Sequence, residues 1–341
     1  MTINIALATY DSIILGCDSL SSMVETVIFP FKASFATDAT GQIMLDAQGN
    51  PLIPFDAKHF QDVATTVFGG VSKMFCLYDN NDTVVGAVTA GLATLSGISI
   101  AEQAKRFKKQ MAADRREFSS VEEVARAFHD FMRVLWELDY PEQMRADRPI
   151  QFLPTVQFIV AGFGANDGPG KVYKMDIAQQ LLKEQFPDGQ HSGICWGGIS
   201  NYVERLMQGI DDSLKITVGR ELASAMSQQR QLTIADISQA LDKANVKLPE
   251  DLELEITEQQ PPTLPWDSVT ADIDFANLST QYAVELIELL VNTQSGMQRF
   301  ARGIPTVGGR THIGVLKRGE EFQLLNEPKL QHKHTGYGDE F

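Results

Sequence analysis

The chain has 341 residues, of which 43% are hydrophobic, 9% aromatic and 21% charged. This composition is typical of a soluble globular protein with enough apolar residues for a large core, in one or two domains. Lysine and arginine number 29 against 44 aspartates and glutamates, which gives a net charge of −15. Nucleic acids and anionic membrane surfaces bind basic faces, so this charge argues against both as partners.

The cysteines and the start of the chain predict a cytoplasmic protein. Cys17, Cys76 and Cys195 are far apart in the sequence and form no Cys-x-x-Cys pair. This spacing suits neither a disulfide framework nor a zinc module and is typical of a reducing compartment. No apolar run approaches the roughly 20 residues of a membrane span. The opening residues, MTINIALATY, lack the basic segment of a signal peptide.

The first part of the chain predicts strands. Residues 3–8 alternate apolar with smaller or polar side chains, and a short turn leads to a second apolar run over 13–17. Together these features predict a β-hairpin. Residues 23–70 contain short β-like runs and two turn signals, which predict an extended hairpin or loop insertion. Further strands are predicted over residues 73–77 and 83–88.

Two helices are predicted next. The first covers about residues 99–115, and the second begins at Ser119 or Ser120, whose hydroxyl suits an N-cap. The second helix carries a stripe of apolar residues at helical spacing. Met132 and Trp136 lie beside that stripe, so the helix has more apolar surface than one core face needs. Large apolar patches mark interfaces, and this helix therefore predicts self-association.

The second half of the chain alternates blocks of strands with blocks of helices. We predict strands over 156–161, 172–176, 311–317 and 322–325. We predict that residues 192–198 open a helix and that further helices cover 214–229, 233–244 and 280–292. A second insertion is predicted over 213–276 and a disordered tail over 331–341. Blocks of this kind suit antiparallel sheets covered by helices better than regular βαβ alternation.

Motifs for cofactors and metals are weak. The glycines of 162–168 have the spacing GxGxxxG, but a strand and not a helix follows, so a hairpin loop is favoured over a nucleotide site. His129 lies within a predicted helix beside its core face, where a packed histidine is commoner than a ligand. His332 and His334 lie in the polar tail, and the chain has no HExxH motif and no GxSxG elbow. We therefore expect no cofactor and no metal.

The start of the chain carries the pattern with a chemical meaning. Met1 precedes Thr2, and an initiator methionine is removed before small residues, which would leave threonine first. An N-terminal threonine supplies the nucleophile and its base on one residue, because its α-amine can accept the hydroxyl proton. Threonine is also common at position 2 simply because it permits this removal, so Thr2 alone leaves its role open.

Several stretches, in the same order, resemble the proteasome β-subunits, which are N-terminal-nucleophile hydrolases. Residues 2–18 resemble the opening of that family, in which an aspartate, here Asp18, follows the threonine after a hairpin. Lys73 resembles the lysine that begins the next strand, and 90–93 resembles the glycine that ends the strand after it. The stretches 158–176, 195–200 and 305–309 are similar to the paired middle strands, the glycine–serine–glycine turn and the segment before the last strands.

The resemblance covers about two thirds of the chain and implies an α+β fold. That fold is a four-layer αββα sandwich of two antiparallel sheets, in a single domain over residues 1–330 with insertions at about 23–70 and 213–276. It further implies that Thr2 is the nucleophile and its amine the base, and that the Gly91 N–H stabilises the oxyanion. Lys73 would lower the pKa values of Thr2, and Asp18 would keep Lys73 charged. The alternative for Asp18 and Lys73 is an ordinary surface ion pair.

The chain departs from the family at three positions as well as in its insertions. Gly198 stands where the family has a serine, and Ile304 and Val307 stand where it has an aspartate and a serine. The insertions make the chain resemble a divergent bacterial proteasome-like branch, akin to the Anbu type. Two functions stay open: a threonine peptidase or amidase acting on peptides or unfolded protein, and a catalytically silent, self-assembling protein. Either implies a homo-oligomer, as a ring or a helical array.

Overall fold

The structure is a computed structural model, and it describes residues 2–28, 35–38, 40–52, 60–80, 82–146, 150, 153–187, 189–246, 264–266, 270–301 and 304–326. The strands are β1 (Ile3–Ala8), β2 (Ser12–Asp18), β3 (Ser21–Ile28), β4 (Phe60–Phe68), β5 (Met74–Asn80), β6 (Thr83–Gly91), β7 (Thr94–Leu95), β8 (Ile98–Ser99), β9 (Val156–Phe163), β10 (Lys171–Asp176), β11 (Leu181–Glu184), β12 (Gly193–Gly198), β13 (Thr311–Lys317) and β14 (Gln323–Leu324). The helices are α1 (Ile100–Ala113), α2 (Val121–Asp139), α3 (Glu142–Arg145), α4 (Asn201–Gln208), α5 (Asp212–Lys243) and α6 (Thr280–Gln298).

The strands form two five-stranded sheets. The first has the order β12-β1-β2-β13-β14 and the second has the order β11-β10-β9-β6-β5, with antiparallel neighbours throughout. Two smaller antiparallel pairs, β3–β4 and β7–β8, accompany them. The predicted α+β class with antiparallel sheets is confirmed. Within the described residues, the predicted insertion at 23–70 is an extended hairpin, with β3 paired to β4.

Side chains that alternate along the strands build two cores. Within β9, Val156, Phe158 and Val160 belong to the core shared with α1 and α2, whereas Ile159 and Ala161 belong to the core shared with the first sheet. This alternation follows from the two-residue period of a strand, which turns successive side chains to opposite faces. The second sheet is therefore covered by helices on one face and by β1, β2 and β13 on the other.

Helix α2 begins and packs largely as its sequence predicts. Ser120 is its N-cap, and the Glu123 side chain completes a capping box. Met132 and Trp136, however, are fully buried, because the side of the helix that faces the sheet is wider than a single stripe. The prediction that these two residues form an exposed apolar patch is wrong. The exposed apolar residues of this helix are Val134 and Leu138, at 60% and 69% exposure.

Helix α6 lies against the first sheet. Its buried face includes Ala283, Ile287 and Leu290. A Cβ atom on Gly16 of β2 would lie 2.2 Å from Ile287 Cγ2, so the helix packs directly on the backbone of this strand. Only glycine allows that approach.

Residues 192–198 were expected to open a helix, and the structure corrects this. Gly193–Gly198 is strand β12, which pairs with β1 from Ile3 to Ala8, and the helix begins only at Asn201. The glycines permit this pairing, because a Cβ on Gly197 would lie 2.6 Å from Asn4 Oδ1. The two helices predicted over 214–244 are one continuous helix, α5, with Asp211 as its N-cap.

The chain divides into two compact units, residues 1–200 with 274–341, and residues 201–273. The second unit contains α4 and α5 and overlaps the predicted insertion over 213–276. The tail over 331–341, for which we predicted disorder, lies outside the described residues. No helix within the described part of the chain has the length and apolar character needed to cross a membrane.

Candidate active site

Thr2 is held at the end of a central strand. It directly precedes β1, which lies between β12 and β2 in the first sheet, and it is only 3% exposed. Its carbonyl oxygen accepts a hydrogen bond from the Ile199 N–H at 2.7 Å. The position of Thr2 is thus fixed by its own strand and by the chain that leaves β12.

Three predicted site residues meet at this point. Lys73 Nζ lies 2.8 Å from Asp18 Oδ1, and the two side chains are 6% and 1% exposed. Thr2 Oγ1 contacts both groups, because its hydroxyl donates to Asp18 Oδ1 and it accepts from Lys73 Nζ. Since the pair is buried and shares a hydroxyl, it is not the surface ion pair considered as the alternative. The fold brings the three residues together from sequence separations of 16 and 71.

Backbone groups compensate the buried charges. Asp18 Oδ1 also accepts from the Ile3 N–H at 3.1 Å, and Oδ2 accepts from the N–H groups of Leu20 and Gly308 at 3.1 and 3.0 Å. The Lys73 ammonium donates to the Leu20 carbonyl in addition to Asp18 and Thr2, which uses all three of its protons. Such complete pairing is what allows an ammonium and a carboxylate to remain charged when buried.

Ser19 connects the segments around the site through hydrogen bonds, and the sequence analysis did not identify it. The Ser19 N–H donates to the Gly308 carbonyl at 3.2 Å, and Ser19 Oγ accepts from the Arg310 N–H at 2.7 Å. The Ser19 carbonyl accepts from the Val71 N–H at 3.0 Å, two residues before Lys73. The stretch 305–309, singled out from its resemblance, therefore reaches Asp18 through its backbone.

A cavity opens beside Thr2. Its volume is about 150 Å³, and it is lined by Thr2, Ser21, Val71, Ser72, Lys73, Thr89, Ala90, Gly91, Leu92, Ala93, Ser99, Ile100 and Ala101. The fourth predicted site residue, Gly91, is thus part of the same cavity wall as the threonine and the lysine. Its φ of +95° lies in the region that favours glycine.

The pairing of β6 indicates where the Gly91 N–H points. Along a strand of an antiparallel sheet, successive residues direct their N–H groups to opposite neighbours. The Leu92 N–H donates to the Thr155 carbonyl of one neighbouring segment, and the Thr89 N–H donates to the Lys73 carbonyl of the other. Gly91 lies two residues after Thr89, so regular alternation would direct its N–H to the Lys73 side, where the cavity lies.

The three departures from the family pattern place no polar side chain near Thr2. Gly198 has a φ of +74°, and a Cβ there would lie 2.0 Å from the Thr2 carbonyl oxygen, so a serine cannot replace it in this geometry. Val307 is fully buried, and Ile304 is 48% exposed. Buried hydroxyl-bearing residues next to these positions include Ser200, two residues after Gly198, and Thr306, directly before Val307.

Other titratable groups near the site are held neutral. Cys17 directly precedes Asp18, and burial, followed by the charge of Asp18, raises the pKa of its thiol to about 12. A thiol that stays protonated is a poor nucleophile, so Cys17 does not compete with Thr2. Burial, followed by the charge of Lys73, lowers the pKa of His312. Within the described part of the chain, no cluster of three His, Cys, Asp or Glu residues could hold a metal.

Comparison with known proteins gives matches among solved structures. No family model and no curated protein matches the chain. This chain is similar to Anbu structures. Anbu from Hyphomicrobium sp. strain MC1 is 8% identical over 95% of this chain and 85% of that chain, with a TM-score of 0.45. The Anbu (Gly-1) mutant from the same strain is 8% identical over 95% of this chain and 87% of that chain, with a TM-score of 0.44. Anbu (ancestral beta-subunit) from Yersinia bercovieri is 9% identical over 95% of this chain and 88% of that chain, with a TM-score of 0.46. The functional argument therefore rests on the site geometry.

Proposed function

We propose that the protein is an N-terminal threonine hydrolase that cleaves amide bonds, with Thr2 as its nucleophile. The observation that carries this proposal is the contact of one buried hydroxyl, Thr2 Oγ1, with both Lys73 Nζ and Asp18 Oδ1 in the wall of a cavity. A structural hydroxyl needs no ammonium beside it. A nucleophilic hydroxyl gains from one, because the positive charge stabilises the alkoxide that forms during attack.

The mechanism requires that Thr2 be the first residue of the mature chain. The Thr2 α-amine accepts the hydroxyl proton while Oγ1 attacks the carbonyl carbon of the substrate. The Gly91 N–H stabilises the tetrahedral oxyanion, and the amine then passes the proton to the departing nitrogen as the C–N bond breaks. Water attacks the resulting ester by the same route, which releases the acid and restores the Thr2 hydroxyl. Lys73 and Asp18 act through their hydrogen bonds to Thr2 Oγ1 and take no part in these proton transfers.

The cavity favours an acyl group with a small, uncharged side chain. Apart from Thr2 and Lys73, its wall consists of small, hydroxyl-bearing and aliphatic residues, including Val71, Ala90 and Ala101. Lys73 is already paired with Asp18, so a charged substrate side chain would be buried without a partner, at a cost of several kcal/mol. Short peptides or unfolded segments with alanine-like or valine-like residues before the scissile bond are the proposed substrates.

The proposal includes the arrangement around the site. We assign residues 1–330 to one proteasome-like domain with two insertions, in which helices on both sides of the paired sheets form a four-layer αββα sandwich. The packing of α6 on the first sheet and of α1 and α2 on the second supports this assignment. The proposed setting is a cytoplasmic homo-oligomer whose sites face a shared interior.

A silent, self-assembling protein is the second candidate. The observation that favours it is the lack of a polar side chain at Gly198, Ile304 and Val307, where the family holds the terminal amine and its water. In that case, the buried trio of Thr2, Asp18 and Lys73 would serve stability alone.

A covalent probe separates the two candidates. Incubation with a peptide epoxyketone that carries alanine or valine next to the ketone should give one adduct per chain, mapped to Thr2 by mass spectrometry. The Thr2→Ala variant should give none, and Thr217→Ala, a matched change on α5, should react as wild type does. An unmodified wild-type chain, with no turnover of alanine- or valine-containing peptides, would favour the silent protein.

A further inference from the structure

A buried carboxylate lies two strands away from the cavity wall. Asp176 ends β10 and is only 4% exposed. Its Oδ1 accepts hydrogen bonds from Thr155 Oγ1 at 2.7 Å and from the Gln179 N–H at 3.0 Å, and its Oδ2 accepts from Gln157 Nε2 at 3.0 Å. The carboxylate therefore fixes two residues, Thr155 and Gln157, that flank Val156 at the start of β9.

Thr155 is in direct contact with the wall of the cavity. Its carbonyl accepts from the Leu92 N–H at 2.9 Å, and a Cβ on Gly91 would lie 2.3 Å from the same oxygen. The hydroxyl of Thr155 donates to Asp176 and accepts from the Ala178 N–H at 3.1 Å, so it is held from both sides. A change in the backbone orientation of Thr155 would move its carbonyl, and this would displace the Gly91–Leu92 backbone that contacts the carbonyl.

Gln157 supports the same wall at the next position. It lies opposite Ala90, as Val156 lies opposite Gly91, and its carbonyl accepts from Thr89 Oγ1 at 3.2 Å. Thr89, Ala90 and Gly91 all line the cavity. Asp176 is thus hydrogen-bonded to the side chains of Thr155 and Gln157, whose carbonyls accept from Leu92 and Thr89 at the cavity wall.

We infer that Asp176 and Thr155 are positioning residues that set the place of the Gly91 N–H relative to Thr2. This inference rests on the proposed function, because it concerns the group that would stabilise the oxyanion. Neither residue lines the cavity, so neither touches the substrate. Their effect is transmitted from the carboxylate through the Thr155 hydroxyl and carbonyl to the Gly91–Leu92 backbone. Such donors must be held closely, because a displacement of about 1 Å can cost roughly a hundredfold in rate.

The test compares Thr155→Val with Thr155→Ser. Valine keeps the shape of threonine and loses the hydroxyl, whereas serine keeps the hydroxyl. Thr155→Val should lower kcat by about tenfold or more with KM changed less than about threefold, because only transition-state stabilisation is lost. Thr155→Ser should retain most of the wild-type kcat. Thr311→Val removes a comparable hydroxyl, which donates to Asn292 Oδ1 at 2.7 Å, and should leave both constants unchanged.

Hydrogen–deuterium exchange gives a readout that does not depend on activity. The peptide covering residues 88–95 should exchange faster in Thr155→Val than in wild type or Thr155→Ser, while peptides from α6 remain unchanged. Asp176→Ala should reproduce the Thr155→Val effect on kcat, and the double variant should be no worse than the poorer single variant, because the two residues act in series.

The outcomes distinguish this inference from the proposed function. Equal kcat and equal exchange in Thr155→Val and wild type would overturn the inference while leaving the function intact. A wild-type chain without turnover overturns the proposed function, and the exchange experiment still decides whether Thr155 holds the Gly91–Leu92 backbone. If Asp176→Ala does not fold, the valine and serine variants at position 155 carry the test alone.

Discussion

At the scale of single residues, the side chains of the site could be predicted and the groups that hold them could not. Thr2, Asp18 and Lys73 can be recognised in the sequence, because the proposed chemistry requires a threonine, an aspartate and a lysine. The Leu20 carbonyl and the Gly308 N–H cannot be recognised in this way, because they are backbone groups that almost any residue type provides. The resemblance to a known family placed Lys73, whose separation of 71 residues from Thr2 no local pattern could bridge.

Removal of the Lys73 side chain should abolish activity and also lower the stability of the fold. Lys73→Ala leaves Asp18 buried without its cation, and we expect the free energy of unfolding to fall by about 3–5 kcal/mol and amide hydrolysis to be lost. The double variant Lys73→Met/Asp18→Leu removes both charges but leaves the N–H groups of Ile3, Leu20 and Gly308 without an acceptor, so it should recover little of that stability and have no activity. Lys109→Ala, on the exposed side of α1, is the control. Chemical denaturation measures stability, and normal turnover by Lys73→Ala would contradict the assignment.

His312 should make stability depend on pH. Burial and the charges of Lys73 and Arg310 lower the pKa of His312 below 6.5, and Asp18 opposes them to a lesser degree. As the pH falls below about 6.5, the unfolded chain binds a proton here while the folded chain does not, so the free energy of unfolding decreases, by at most about 1.4 kcal/mol per pH unit. His312→Leu should flatten the profile between pH 7 and 5. Parallel profiles for variant and wild type would contradict this account.

At the scale of elements, local patterns predicted most strands and helix starts. The hairpins follow from alternating side chains and turn residues. Ser120 marks the start of α2, because it forms the N-cap of a capping box. The sequence predicts a helix start at β12 because its glycines and the helical stretch after it resemble one, whereas its partner, β1, lies 185 to 195 residues away (Ala8 opposite Gly193, Ile3 opposite Gly198). The sequence predicts two helices where α5 is continuous, because the apolar residues of α5 do not form a single clear face.

Gly198 should tolerate no side chain. A Cβ there meets the Thr2 carbonyl oxygen at 2.0 Å, and the φ of +74° strains any other residue. Gly198→Ala should therefore displace Thr2, abolish labelling by the epoxyketone and lower the free energy of unfolding by about 1–3 kcal/mol. Gly219→Ala, within α5, meets no atom within 4 Å and should leave labelling unchanged while stabilising its helix by up to about 1 kcal/mol. Normal labelling of Gly198→Ala would contradict the geometry of the site.

At the scale of the whole molecule, composition and element order predicted the class, and the predicted insertion over 213–276 overlaps the second compact unit, residues 201–273. The expectation of a homo-oligomer stays a prediction. It can no longer rest on Met132 and Trp136, which are buried, and rests instead on other exposed apolar residues. The exposed apolar residues of the described chain include Val134 and Leu138 of α2, with Leu289 and Phe300 at 57% and 86% exposure in and after α6. Patches of this kind mark interfaces when they are contiguous.

Assembly should increase with ionic strength. Copies that each carry a charge of −15 repel one another, and salt screens this repulsion while leaving apolar contacts intact. Light scattering over a salt series should show a larger mean mass at higher salt. Leu138→Lys should reduce that mass, and Lys109→Ala should not. A monomer at every salt and protein concentration would contradict the prediction.

The central claim, that the Thr2 amine serves as the base, is tested most directly by the mass of the N-terminal peptide of the purified protein. The account predicts a chain that begins at Thr2 with a free α-amine, in the wild type and in Lys73→Ala alike, because removal of Met1 does not depend on the site. A chain that retains Met1 has no amine beside Oγ1, and that result would contradict the mechanism.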